Sequence, residues 1–277
     1  MKIVVTGAGG GLGRAVVATA GSHHDVVALT HADLDIGDHH AVLGGVPPLG
    51  ADLIVNCAAF TQVDANETDQ ARAFRDNAQG PQSLALAARM CGATLLHVST
   101  DYVFDGVKAE PYDETDEPHP ISVYGRAKLA GERFVASTVA EHFVVRTGYV
   151  FGGDDDYYLS GQLARLRAGE DAAGIEDRVG SPTFVEHLAE RLLPLTLTGR
   201  FGTYHLAGPD AASWFQVLER LRDLGGFSGE VRPQRAADLG LAAPRPERSA
   251  LASVFVENLS LPRFPPLDEA LRAMLGR

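Results

Sequence analysis

The chain has 277 residues, 45% of them hydrophobic, and 24 Lys and Arg against 36 Asp and Glu give a formal net charge of −12. That length supports a substantial core in one large or two small domains. The acidic balance argues against nucleic acid or an anionic membrane surface as a partner, because both require a positive face.

The opening Met1 to Gly7 is too short an apolar run for a secretory signal, and it turns at once into a glycine loop. No stretch of about 18 apolar residues is present to span a membrane. Cys57 and Cys91 form no disulfide framework and read as buried thiols. The expectation is a cytoplasmic protein.

Short apolar runs suited to strands lie at 3–6, 26–30, 53–56, 95–99 and 143–147, with helical patterns at 12–20, 69–90 and 124–137 between them. Strands spaced by helices imply βαβ units and a parallel sheet, and continuous apolar strands imply cover on both faces. Residues 1–147 are therefore expected to form an α/β doubly wound (Rossmann) dinucleotide-binding domain, with its crevice at the carboxyl ends of the strands. Residues 148–277 are expected to form mainly a smaller substrate-binding part, interleaved with the last strands of the sheet. Helices are expected there at 158–169, 185–195 and 214–224, a strand at 203–206, and a Pro- and Arg-rich stretch at 232–248.

The first turn reads Gly7-Ala8-Gly9-Gly10-Gly11-Leu12-Gly13. Gly7 permits a tight turn, Gly10 a close approach of the pyrophosphate, and Gly13 close packing of helix on strand. The helix opening at Gly11 and Leu12 offers free amides to phosphates. Thr30 and His31, after the second strand, carry neither the acid typical of NAD sites nor the base typical of NADP sites, so NADPH and NADH both stay open. Asp35 and Ile36 are candidates to face the adenine, and Cys57 ends the third strand near the crevice.

Tyr124 and Lys128 stand four residues apart on a predicted helix, on one face and about 6 Å apart along its axis. A cation beside a phenol favours the phenolate, which predicts a Tyr124 tuned toward working pH from its usual value of about 10. Ser99 and Thr100 end the fourth strand at the crevice, where a hydroxyl can bond a substrate carbonyl. The adjacent pairs His23-His24 and His39-His40 read as surface turns, not metal ligands. His97 reads as a core histidine, Trp214 as packing, and Asp154-Asp155-Asp156 as a solvated loop or cap. Arg232, Arg245 and Arg248 are candidates for ligand phosphates, and no metal site is expected.

Taken in order, these motifs resemble the extended short-chain dehydrogenase/reductases, and among them the dTDP-4-dehydrorhamnose reductase family. The matching stretches are 56–64 with Glu67, the run from Ser99 to Gly106, Pro111-Tyr112 with Glu114, and Tyr124-Gly125 with Lys128 and Gly131-Glu132. Val145-Arg146-Thr147, Gly180-Ser181-Pro182-Thr183 and Arg245-Pro246 with Ser249 continue the match over nearly the whole chain.

The resemblance implies hydride transfer from a nicotinamide to the 4-keto carbon of a nucleotide-activated deoxysugar. Tyr124 would donate the proton, Lys128 would support it and hold the ribose, and Thr100 would orient the carbonyl. Ala58, Ala59 and Phe60 would line the nicotinamide side, with Ser99 also at the cofactor. Val63, Thr100, Asp101, Tyr149 and Arg245 are the corresponding candidates for substrate contact.

The chain departs from the family at Gly148-Tyr149-Val150-Phe151, where the family usually has serine, tryptophan, valine and tyrosine. The family's tryptophan lies near the sugar, so Tyr149 bears on which sugar is taken. Dehydration is disfavoured because Tyr102 follows Asp101 where dehydratases place an acidic pair. Epimerisation and a non-catalytic dinucleotide-binding regulatory role are the alternatives. Proteins of this kind often pair, so a homodimer is admitted, with no interface legible in the sequence.

Overall fold

The computed structural model describes residues 1–153 and 157–276; the Asp154-Asp155-Asp156 run lies outside them. Strands β1 (Lys2–Thr6), β2 (Asp25–Leu29), β3 (Leu53–Asn56), β4 (Thr94–Thr100) and β5 (His142–Thr147) come first. Short strands β6 (Val150–Phe151), β7 (Ala172–Ile175), β8 (Val179–Gly180) and β9 (Thr183–Phe184) follow. Then β10 (Gly202–His205), β11 (Ala212–Ser213) and β12 (Val231–Gln234) complete the set. The large sheet runs β2-β1-β3-β4-β5-β10, all parallel. The strand order reverses at β1, so a crevice opens beyond the carboxyl ends of β1 and β3.

The helices are α1 (Gly11–Gly21), α2 (His39–Gly45), α3 (Val63–Thr68), α4 (Gln70–Phe74) and α5 (Gly80–Cys91) in the first half. They continue as α6 (Val123–Thr138), α7 (Tyr157–Arg167), α8 (Val185–Leu197), α9 (Trp214–Gly225) and α10 (Leu267–Leu275). The alternation of side chains along a strand divides the core. Ile3 and Val5, with Val55, Leu96 and Val145, point toward α1 and α8. Val4, Ile54, Leu95 and Val144 point the other way, toward α2, α5 and α6. Each such fully buried aliphatic side chain stabilises the fold by roughly 1.5–3 kcal/mol. A separate core gathers Leu159, Leu163, Leu218, Leu221 and Leu271 from α7, α9 and α10. The parallel pair β7–β12 lies beside this core.

Several local expectations are corrected. The helical run at 69–90 is α4 and α5 joined by a π-helical turn, Arg75–Gln79. Periodicity alone does not register one extra residue per turn. His39 and His40 open α2 instead of forming a surface turn. The Asp38 side chain accepts from the Ala41 amide at 3.0 Å, and His39 Nδ1 lies 2.9 Å from Ser83 Oγ. The Pro- and Arg-rich stretch begins inside β12, where Arg232 is exposed and pairs with Asp171 at 2.5 Å. No helix among the described residues is long and apolar enough to cross a membrane.

Candidate active site

The glycine loop joins β1 to α1 as the spacing requires, but its three glycines have different reasons. Gly7 has φ +70°, and a Cβ there would stand 2.5 Å from the Ala58 amide nitrogen. At Gly13 a Cβ would stand 2.1 Å from the Gly7 carbonyl oxygen. A Cβ on Gly10 would meet its nearest protein atom only at 3.5 Å. The protein itself therefore demands the first and third, and the space at the second opens toward the crevice. Gly10 is also the N-cap of α1 and has no side chain to cap it, which leaves the first-turn amides for a ligand.

A cavity of about 220 Å³ lies against this loop. It is bounded by eight of the predicted cofactor residues, Gly7, Gly10, Asp35, Ile36, Cys57, Ala58, Ala59 and Phe60, and also by His31, Arg72 and Asp76. The cavity runs between the glycine-loop backbone and the wall formed by Ala58, Ala59 and Phe60. Asp35 is half-exposed, pairs with Arg75 at 3.3 Å and accepts from the Gly37 amide, while the Ile36 side chain packs into the core.

The wall at residues 56–60 is held from below. Asn56 Oδ1 accepts from Thr6 Oγ1 at 2.8 Å and from the Ala58 amide at 3.0 Å, and its amide nitrogen lies 3.0 Å from His97 Nδ1. His97 is fully buried and its pKa is driven well below the ordinary value by that burial, so it stays neutral. Phe60 is pinned through its backbone: Asn77 Oδ1 accepts from the Phe60 amide, and Asn77 and Asn66 both donate to its carbonyl. Asn77 sits in the π turn, which gives that turn a function in positioning the wall. The Arg72 guanidinium covers the Phe60 ring at 4.2 Å. Sequence reasoning missed Asn66, Asn77 and Arg72.

Tyr124 and Lys128 sit in the first turns of α6. Ser122 caps this helix by accepting from the Gly125 amide at 3.1 Å, and Glu67 accepts from the Val123 amide at 2.7 Å. Gly125 is required, since a Cβ there would stand 2.1 Å from the Tyr102 carbonyl oxygen. Thr100, at the end of β4, lies beside Tyr124 and acts on its phenol, so the phenol and the strand-end hydroxyl are brought together. Lys128 Nζ donates to the Val98 carbonyl at 2.7 Å.

The expected tuning of Tyr124 toward neutral pH is corrected. Burial is the largest influence and pushes it up to about 12, with the Thr100 hydroxyl opposing and the Asp101 charge acting the same way as burial. Burial also lowers Lys128 to about 8, against the pull of Glu132 and Cys57. A phenol so held stays protonated at neutral pH and is a donor. Cys57 is pushed up to about 12 by burial, which makes it an inert wall and not a nucleophile.

The Ser99 side chain points away from the crevice. It donates to Glu132 Oε1 at 2.5 Å, and Arg146 braces the same carboxylate through Nε at 3.0 Å and Nη2 at 2.7 Å. The pair is buried beneath α6. Any contact of Ser99 with a cofactor would therefore come from its backbone.

On the other side of the crevice, Val63 is half-buried at the start of α3, next to Asp64. Asp64 receives Arg245 in a two-pronged pair at 3.0 and 2.6 Å, and also the Ala243 amide. The pair holds the Asp64 carboxyl below its usual range. Arg245 also lies near Tyr102, whose ring meets Tyr124 edge-on at 5.8 Å. Arg248 is exposed and is tied only through its backbone, to the Gly106 carbonyl.

Tyr149 has φ +45°, an unusual strain for a tyrosine, and stacks on Trp214 with centroids 4.9 Å apart and planes within 5°. Gly180, of the Gly-Ser-Pro-Thr run, leaves the room for the Tyr149 ring. Beside Tyr149, the buried Nε of Arg178 has no hydrogen-bond partner among the described residues. Neither Arg178 nor the Tyr149–Trp214 stack was legible in the sequence, because their partners come from separate segments.

A family model described as RmlD substrate binding domain matches residues 1–277. The chain is 41% identical over 260 residues to a dTDP-4-dehydrorhamnose reductase of Mycobacterium tuberculosis, covering 91% of this chain and 85% of that one. Among solved structures, it resembles the dTDP-4-dehydrorhamnose reductase of Bacillus anthracis in complex with NADP. That similarity has a TM-score of 0.95 at 30% identity, over 99% of this chain and 98% of the other. An orthologous reductase of Clostridium acetobutylicum matches with the same TM-score at 32% identity, over 100% and 99% of the two chains.

Proposed function

Because this chain belongs to the RmlD substrate binding domain family, we propose that it is an NAD(P)H-dependent reductase of the 4-keto group of a nucleotide-activated deoxysugar, with dTDP-4-dehydrorhamnose as the substrate to be tried first. The observation that carries the reading is a buried Tyr124, kept protonated by that burial, beside Thr100 at the carboxyl end of β4, in a fold whose glycine loop and Ala58–Phe60 wall enclose a cavity. A reduced nicotinamide, which Ala58, Ala59 and Phe60 would hold, would supply the hydride.

Tyr124 gives its phenolic proton to the carbonyl oxygen as negative charge develops there, and Thr100 orients that oxygen. Lys128, anchored on the Val98 carbonyl, supports the tyrosinate left behind and would hold the ribose hydroxyls. Gly7, Gly10, Gly11, Leu12 and Gly13 would hold the pyrophosphate through their backbone, and Asp35 and the backbone of Ile36 would face the adenine. Residues 148–277 supply the substrate side, with Val63 across the crevice; the carboxylate of Asp101, next to Thr100, is taken up by Thr100 and Ser249. Arg245, fixed by Asp64, directs a charge toward the substrate diphosphate.

The departure at Tyr149 leaves an aromatic surface in place, since Trp214 backs the smaller ring and extends it. Two copies of the chain as the assembly and residence in the cytoplasm complete the proposal.

The test is the oxidation of NADH and of NADPH with dTDP-4-dehydrorhamnose, followed at the nicotinamide absorbance. Turnover is expected. Binding of both cofactors without turnover would overturn the substrate assignment and favour another keto-sugar nucleotide or a regulatory role.

A further inference from the structure

Lys128 is 2% exposed, and its ammonium donates to the Val98 carbonyl at 2.7 Å, with no carboxylate in direct contact among the described residues. A buried cation so placed needs a counter-charge nearby. Tyr124, Lys128 and Glu132 follow at four-residue steps on α6 and share its buried face. Glu132 comes to rest one strand residue from Lys128: its Oε1 accepts from Ser99 Oγ at 2.5 Å, and Ser99 follows Val98 on β4. From β5, the buried Arg146 donates to the same carboxylate, through Nε to Oε1 at 3.0 Å and through Nη2 to Oε2 at 2.7 Å. Arg146 has no other ion pair among the described residues. Its Nη1 faces His205 Nε2 at 3.4 Å. His205 turns Nδ1 to the Tyr112 and Ala252 carbonyls at 3.0 and 2.9 Å, so that nitrogen carries the proton and Nε2 is the acceptor.

One buried carboxylate thus stands between two buried cations. The other titratable groups at Lys128 are Tyr124 on its own helix, Cys57 after β3 and His97 on β4, and burial keeps all three neutral. We propose that Glu132 is a positioning residue for the reduction: it is shared between Arg146 and Lys128, and its charge holds the Lys128 ammonium protonated in a site that burial would otherwise neutralise. This rests on the role given to Lys128 in the reading above. The two cations and one anion carry a surplus of one positive charge. That surplus is cancelled when Tyr124 gives up its proton, so the arrangement favours the tyrosinate left by the reaction. Burial and Glu132 act on Lys128 in opposite senses and leave it at about 8.

The chain has three lysines, Lys2, Lys108 and Lys128, so ¹³C labelling at lysine Cε gives three NMR signals that can be titrated separately. The Lys128 signal is the one lost in Lys128→Arg. Glu132→Gln keeps the shape and removes the charge, so the Lys128 midpoint in the cofactor-free protein should move at least about one pH unit lower, the effect of losing an opposite charge at close range. Glu132→Asp keeps the charge and should leave the midpoint near that of the wild type. A pair that only braced α6 against β5 would behave differently: breaking it lets water in and moves Lys128 up, toward its ordinary 10.5. The alkaline limb of kcat/KM, which reports the free enzyme, should move with the NMR midpoint.

An unmoved or raised midpoint in Glu132→Gln overturns the proposal, and so does a midpoint in Glu132→Asp as low as that of Glu132→Gln. A kcat/KM limb that stays in place while the midpoint moves overturns the role in the reduction. If Glu132→Gln does not fold, the same change combined with Arg146→Gln decides, because it leaves neither member of the pair buried as an uncompensated charge. The charge nearer to Lys128 is lost there and the midpoint should fall; an unmoved or raised midpoint overturns the proposal. Should the wild type turn over no keto-sugar at all, the reductase reading fails, and the NMR titration still judges Glu132 by itself.

Discussion

Gly10→Val and Gly13→Ala lie three residues apart in one turn and should give opposite phenotypes. Gly10 has φ −81° and ψ 164°, an extended backbone that valine accepts, and its nearest Cβ neighbour is at ordinary contact distance, 3.5 Å. The fold should lose only what a poorer N-cap residue costs, on the order of 1 kcal/mol or less. The new isopropyl group occupies the space over the α1 amides, so dinucleotide binding should be abolished.

At Gly13 the added methyl would stand 2.1 Å from the Gly7 oxygen and 2.8 Å from Ala8 Cα, both backbone atoms. Helix and strand must separate by about 1 Å, at a cost of roughly 1–3 kcal/mol or more. For a chain of this size each kcal/mol lowers Tm by roughly 2–4 °C. Thermal unfolding without cofactor, paired with calorimetric titration of NADPH, separates the two. Wild-type cofactor affinity in Gly10→Val would refute the assignment of the loop, and wild-type Tm in Gly13→Ala would refute the close-approach argument.

Tyr124→Phe should leave cofactor affinity nearly unchanged and lower kcat by roughly 10²–10⁴-fold; a rate near that of the wild type by stopped assay removes Tyr124 from its role. Lys128 is lowered to about 8 in the fold by burial and returns to its ordinary 10.5 when unfolded. Between those values the unfolded chain binds more protons, so unfolding free energy should climb as pH rises, by up to about 3 kcal/mol, and below about 8 the penalty is fully present. Denaturant titrations should show this climb in the wild type relative to Lys128→Met, and parallel profiles for the two would contradict the burial argument.

The sequence by itself determined whatever depends on neighbours within a few residues. The glycine spacing, the four-residue step from Tyr124 to Lys128 and the apolar runs of β1, β3, β4 and β5 were legible, because turn sterics and helix and strand periods are local. Locality also marks where the reading stopped. The π turn that carries Asn77 differs from an α-helix by one residue per turn and leaves the apolar pattern almost intact.

Tertiary structure alone decided the partners. Ser99 faces Glu132 and not the crevice, Asp64 meets Arg245, Ser249 reaches Asp101, and Tyr149 stacks on Trp214. It also reversed the expected shift of Tyr124, since spacing reveals a nearby cation but not the depth of burial. Desolvation and long-range contact depend on which segments the fold superposes, and a linear pattern carries no record of that.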